Sequence, residues 1–138
     1  MQQLEGFQYA TALDLNMRYY TIRLSPAIQD MRKIVTEFVK FKYNCLPVVM
    51  CTSGDIFQSK VDKLLGDIKG VKMYIDDLLV LAQDSFKKHI EKLRIIFGRL
   101  CTEGLKRNAP KCSFGLKKVP YIGYVITREG IKPDPKKV

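Results

Sequence analysis

Between Tyr9 and Leu24 the chain reads TALDL and then YYTIRL, two short runs of apolar, aromatic and β-branched residues. Such runs predict extended segments, with Asp14 inside or at the end of the first. From Arg32 to Leu46 apolar and polar residues alternate over part of KIVTEFVKFKYNCL, the pattern of strands in a half-exposed sheet, and Pro47 ends the run. Beyond it Thr52 can cap a helix with Asp55 three residues on, and Ile56, Phe57, Val61, Leu64 and Leu65 recur at helical spacing up to Gly66.

The segment from Val71 to Leu81, VKMYIDDLLVL, is two short apolar runs around Asp76 and Asp77. A strand pair with the acidic dipeptide at its tip fits this better than one helix. Asp84 or Ser85 can start the longest helix, in which Phe86, Ile90, Leu93, Phe97 and Leu100 predict the apolar face and Gly104 the stop. KCSFGLKKVPYIGYVI predicts a hairpin, followed by GIKPDPKKV as a Pro- and Lys-rich exit without a closing element. The order is α+β, with both helices burying their stripes on one face of an antiparallel sheet.

Length adds that this is one domain: 138 residues with 46% hydrophobic content can pack one core and are too few for two. Charge adds a partner. Lys and Arg number 24 against 14 acids, a formal net charge of +10, which favours a polyanion, nucleic acid before anionic membrane. No stretch approaches the ~20 apolar residues of a membrane span, and MQQLEGFQYA has no signal-peptide pattern, so a soluble, intracellular protein that is not secreted is expected. Cys45, Cys51, Cys101 and Cys112 show no CxxC pairing, and His89, the only histidine, completes no zinc site with them. They read as reduced packing thiols. A single imidazole also leaves little room for a nucleophilic triad.

The candidate chemistry lies in the acids. Phosphoryl transfer asks for the positioning of two oxyanions and the neutralisation of charge on phosphorus, which paired divalent ions perform, and magnesium takes hard carboxylate ligands. Asp14 on one strand, with Asp76 and Asp77 on a hairpin tip, meets that need if the strands are neighbours. An Asp-Asp dipeptide alone is more often a turn or cap. Apolar residues on both sides of each acid change this, because burying a carboxylate is costly unless a cation or donors compensate.

These acids sit in an order that resembles the reverse transcriptases of Ty3/Gypsy-type long-terminal-repeat retrotransposons. ATALDLNMRYYTIRL is similar to the family's first polymerase motif, KFKYNCLPVVMCTSGDIFQ to its second and MYIDDLLVL to its YxDD box, followed by KHIEKL, NAPKCSF and YIGYVITREGIKPDPKKV. The resemblance covers essentially the whole chain, and these blocks in this order are far more specific than a lone YIDD. It implies a polymerase palm, a ferredoxin/RRM-like antiparallel sheet with helices on one face, with part of the fingers at about residues 25–50. Residues 1–138 would form this single segment, with the thumb, connection and RNase H outside it.

The resemblance further implies RNA-directed DNA polymerisation, with two Mg2+ ions (Mn2+ as a substitute) on Asp14 and Asp76, Asp77 supporting and the Leu15 carbonyl a further ligand. Tyr19 would sit under the sugar of the incoming deoxynucleoside triphosphate, excluding a 2′-hydroxyl, with Arg18 and Gln58 beside the nucleotide. Tyr74 and Phe57 would face template or primer, Tyr121 and Gly123 lie in the hairpin similar to the primer grip (Val119 to Val125), and Lys111 would protonate the leaving pyrophosphate. The partners implied are an RNA or DNA template with a DNA primer and the remaining fingers, thumb and RNase H of a polyprotein, in the cytoplasm or a virus-like particle, with no membrane.

The sequence departs from the family pattern at Arg18, Val39, Val49 and Gly54. Arg18 stands where Gly or Ala is usual, Gly54 where Pro is usual, and Val39 and Val49 replace glycines, which implies strain wherever φ was positive. Slow or absent catalysis by the isolated chain is expected. Two other readings stay open at this point: a decayed palm that keeps only a basic nucleic-acid-binding surface, and a fragment that self-associates through faces the other domains would cover.

Overall fold

The computed structural model describes residues 6–16, 22–47, 53–74 and 76–137. Arg18, Tyr19, Val49, Cys51 and Thr52 lie outside them, as does the first half of YYTIRL.

Strand β1 (Tyr9–Asn16) is the spine of the molecule. It pairs antiparallel with β5 (Asp77–Ala82), which pairs in turn with β4 (Val71–Tyr74), so the acidic hairpin read from the sequence is present. On its other side β1 pairs with the short β6 (Lys106–Arg107) and with β7 (Ser113–Leu116). The period of two divides these strands between two cores. Leu13, Leu15, Leu78 and Val80 point to one face, where helix α2 (Ser53–Leu65) contributes Phe57, Val61 and Leu65 and α3 (Phe86–Thr102) contributes Leu93, Ile96 and Leu100. Ala10, Leu79 and Leu81 point to the other, against Val119 and Ile126 of a separate three-stranded sheet.

That second sheet, β8 (Lys118–Tyr121), β9 (Tyr124–Thr127) and β10 (Gly130–Pro133), corrects two expectations. The predicted KCSFG-to-YVI hairpin is split: β7 joins the main sheet, while β8 and β9 form the hairpin. The Pro- and Lys-rich exit supplies β10, in which GIKP pairs with β9 and the ladder ends with Pro133 opposite Tyr124.

Helix α3 also differs. Its buried residues are His89, Leu93, Ile96 and Leu100, while Phe86 and Ile90 are 52% and 39% exposed. The helix is rotated from the purely apolar stripe because a polar residue, His89, is accepted into the core: its Nε2 lies 2.8 Å from the Thr11 hydroxyl. Phe86 packs edge-on to Tyr9, whose ring also stacks on His89.

His89 is fully buried, and its Nδ1 has no hydrogen-bond partner among the described residues. Burial, and after it the charge of Lys92, hold its pKa below the ordinary histidine value of 6.5. The unfolded chain therefore takes up this proton first, so stability falls as pH drops below about 6.5 and levels off once the folded form also protonates. Thermal unfolding should show a midpoint that declines from about pH 7 to pH 5.5, and a His89→Leu variant should show a flatter profile. Equal slopes for the two proteins would assign the loss to other groups.

The remaining segment departs most from the alternation signal. Helix α1 (Pro26–Met31), absent from the sequence reading, buries none of its residues. Among the described residues, strands β2 (Lys33–Val35) and β3 (Lys40–Lys42) pair only with each other, and all six of their residues are exposed. Val39 is unstrained: Ile122 is the one non-glycine residue with positive φ among those described, so the expected cost of replacing a glycine there is not incurred. Gly54 lies inside α2 with open space around it. Among the described residues no helix is long and apolar enough to cross a membrane.

Candidate active site

Asp14 and Asp77 are direct partners across the β1–β5 ladder. Directly opposed residues of an antiparallel pair share one face with Cβ atoms about 4.5–5.5 Å apart, and like charges there repel. Both acids line one shallow cavity of about 160 Å³, together with Lys111, Ser113, Pro120 and Tyr121. Three segments distant in sequence meet here: β1, the β4–β5 tip, and the stretch from Lys111 into β8.

The register is held by backbone bonds that the sequence does not advertise. The Leu15 amide donates to the Asp76 carbonyl (3.0 Å), fixing the tip against β1, and the Asn108 amide donates to the Asp14 carbonyl (2.8 Å), fixing the end of β1 from its other side. Asn108 escaped the sequence reading, since a main-chain donor leaves no side-chain signature. Leu15 itself is a core side chain, 1% exposed, and pairs with Arg107.

Asp76 is half-buried at the tip, with its Oδ1 shielded from solvent, and Asp77 is exposed. The acid that shares the cavity with Asp14 is thus Asp77, while Asp76 is tied to β1 through its carbonyl. Among the described residues no three His, Cys, Asp or Glu side chains form a ready metal cage. The donor set still suits magnesium, which keeps several waters and needs only one or two carboxylates when phosphate oxygens complete its shell.

Tyr121 is half-buried in the same cavity; burial first, and the charge of Asp77 second, push its phenol up to about 12. It therefore stays protonated beside the acids, a hydrogen-bond donor at neutral pH. Lys111 brings a positive charge to the cavity. Tyr74 pairs with Asp77 and is 51% exposed, free to meet a ligand beside the acids.

Phe57 is a core side chain at 1% exposure, on the inner face of α2. Its neighbour Gln58 is half-buried and donates to the Met73 carbonyl (3.0 Å) and to Asp62 (3.1 Å), tying α2 to β4 directly before the acidic tip.

The β8–β9 turn is two residues, Ile122 and Gly123, with φ of 50° and 76°. Two positive values are the mark of a type I′ turn, which glycine accepts and a β-branched residue resists. The turn is braced from just beyond β10, where the Asp134 amide donates to the Gly123 carbonyl (3.0 Å). A strained, exposed residue thus stands at the tip of the hairpin whose Tyr121 reaches the acids.

Comparison with known proteins places this arrangement. The family model described as reverse transcriptase (RNA-dependent DNA polymerase) matches residues 1–126. The Retrovirus-related Pol polyprotein from transposon opus of Drosophila melanogaster is 31% identical over 100% of the chain and 14% of its own length. The transposon Tf2-3 polyprotein of Schizosaccharomyces pombe is 28% identical over 96% of the chain and 10% of its own length. The chain therefore spans about a seventh or less of these relatives. Among solved structures, a foamy viral protease-reverse transcriptase in complex with RNA/DNA hybrid shares the fold with a TM-score of 0.84 at 20% identity, over 97% of this chain and 19% of that one. The native prototype foamy virus protease-reverse transcriptase matches with a TM-score of 0.76 at 25% identity, over 93% and 17%.

Proposed function

The chain belongs to the reverse transcriptase (RNA-dependent DNA polymerase) family, and from that premise we propose that it is the palm, with part of the fingers, of a retrotransposon polymerase. Its reaction is template-directed addition of a deoxynucleotide to the 3′-hydroxyl of a primer. The observation that carries the reading is the pairing of Asp14 with Asp77 on one cavity beside Lys111.

Asp14 and Asp76 would hold divalent metal, Mg2+ or Mn2+, with Asp77, the cross-strand partner of Asp14, and the Leu15 carbonyl completing the protein's donors. Such ions, when bound, activate the attacking hydroxyl and neutralise charge on the transferred phosphate. Holding the carboxylates on paired strands fixes their separation before substrate arrives, which lowers the reorganisation needed at the moment of reaction. Lys111, which lines the same cavity, would give a proton to the departing pyrophosphate, as general acid. Tyr121 offers a hydrogen bond to the carboxylates, and Tyr74 an exposed ring for a base or sugar. Gln58 holds α2 against β4 and so sets where the acidic tip stands. Arg18 and Tyr19 would complete the nucleotide side, with Tyr19 closing it to a 2′-hydroxyl.

The remaining fingers, the thumb and the RNase H unit would come from elsewhere in the polyprotein. Duplex held without a thumb dissociates readily, so extension by this chain alone should be slow. Primer extension under single-turnover conditions, comparing the chain with Asp14→Asn, tests the reading.

A further inference from the structure

A cavity of about 580 Å³ lies where the loop between α2 and β4 (residues 66–70) meets the end of β5. Lys69, Lys72 and Lys92 line it, with Ile68, Val71 and Leu81 in its wall. It is separate from the acidic cavity. Leu81 pairs with Ala10, four residues along β1 from Asp14, which puts about 13 Å of extended chain between this wall and the Asp14–Asp77 pair.

Two acids also line the cavity, and each is engaged by a cation that does not. Arg99 donates to both carboxylate oxygens of Asp67, which holds that carboxyl below its ordinary range, and Lys88 lies 3.5 Å from Asp84. The three lysines have no such match: none of them is among the ion pairs of the described residues. Lys69 and Lys72 are exposed and would be unremarkable alone. Lys92 is different. It is half-buried, and its Nζ donates to the Lys69 and Leu81 carbonyls, each at 2.8 Å. Those acceptors are neutral, so a cation is drawn out of water without an acid in contact, which is costly until an anion compensates. Burial pushes its pKa below the ordinary 10.5, with the charge of Asp84 opposing. An ammonium has three donors, and the carbonyls take two.

The backbone keeps this place open. Gly70 has a φ of 79°, and a Cβ on it would stand 2.5 Å from the Leu81 carbonyl oxygen and 3.3 Å from the Lys92 Nζ. Glycine therefore lets the loop close on β5 without a side chain over the ammonium. Three cations around one concavity suit an anion with several charges, since lysines act on phosphate as point charges. The apolar wall can take an organic group attached to it.

We propose that the Lys69, Lys72 and Lys92 cavity binds an oligophosphate, free or carried by a nucleoside, at a site apart from the Asp14–Asp77 pair. The proposal needs neither metal nor the polymerase reading.

The test is calorimetric titration and amide NMR of the chain with tripolyphosphate, in EDTA so that no metal-bound phosphate at the acids contributes. Shifts should concentrate at residues 66–72 and 81–84. Lys69→Ala/Lys72→Ala should weaken binding about tenfold, the loss of two exposed ion pairs at the upper end of their range. Lys132→Ala/Lys136→Ala, the same charge change at exposed positions on and beyond β10, should alter it by less than roughly twofold. Lys92→Met should weaken binding as well, with urea unfolding run beside it because two carbonyls lose their donor; the exposed pair tests the site without that cost. A nucleoside triphosphate that binds tighter than tripolyphosphate supports the site with the apolar wall in use, and equal affinity supports it for the phosphates alone. No binding of tripolyphosphate, equal losses in the two double variants, or shifts at these residues with a single-stranded oligonucleotide only, overturns the proposal.

Discussion

Replacing Asp14 by Asn should reduce single-turnover primer extension by about 10³-fold, the scale of several kcal/mol of lost charge stabilisation at a metal-assisted phosphoryl transfer. Asparagine keeps the size and the hydrogen-bonding capacity of the residue and removes only the charge. The same substitution relieves the repulsion between two carboxylates set directly opposite each other on neighbouring strands, so it should also raise stability by about 0.2–1 kcal/mol. Opposite signs for activity and stability would mark Asp14 as a residue held in place for chemistry rather than for packing. The two assays are primer extension and urea unfolding of the same preparations. Extension within tenfold of the parent chain contradicts the assignment, and so does a variant that loses activity only because it unfolds.

The largest structural effect is expected at Phe57. Its ring is buried in the core that also holds Leu13, Leu15, Leu78 and Val80, the residues that alternate with the acids and their neighbours along β1 and β5. Phe57→Ala removes the ring and leaves a void between α2 and the sheet, at a cost of about 3–5 kcal/mol. Small domains have only about 5–15 kcal/mol in total, so the variant should unfold at a much lower urea concentration, with the slope of the transition unchanged. Tyr74→Ala is the comparison: that ring is half exposed on the edge strand β4, and its loss should change stability by no more than about 0.5 kcal/mol. A cost below about 1 kcal/mol for Phe57→Ala would mean that α2 is not seated on the sheet as described.

Much of this arrangement was legible from alternation. TALDL and VKMYIDDLLVL each place acids among residues destined for opposite faces, and a strand pair with Asp76 and Asp77 at its turn is what formed. Helix α2 was legible because its buried positions, Phe57, Val61 and Leu65, are all apolar and fall at helical spacing. The stripe of α3 was misread for the complementary reason. His89 counts as polar in sequence, yet with Thr11 as its partner it occupies the core, and Phe86 and Ile90 are left at the margin.

Long-range pairing was the least legible. Nothing local in SFGL says that it joins β1 while KVPY, two residues on, starts another sheet; that choice is made by which face of β1 and β5 remains open for Val119 and Ile126. The β2–β3 hairpin shows the converse. Its alternation is real, yet no face is covered: Phe38 is 91% exposed and Phe41 57%. At the site, carboxylates and Lys111 could be nominated by residue type. The amide of Asn108 and the proximity of Tyr121 to Asp77 follow from the register of strands and needed coordinates.

The most direct measurement is a titration with Mn2+ followed in the amide NMR spectrum of the chain, because a paramagnetic ion broadens only the resonances near it. Selective broadening at Asp14, Asp77 and Leu78, shared by both strands at the same ion concentration and abolished by Asp14→Asn, is the predicted result. Broadening that spreads equally over exposed acids such as Asp30 and Asp84, or that survives Asp14→Asn unchanged, would show that this strand pair holds no metal.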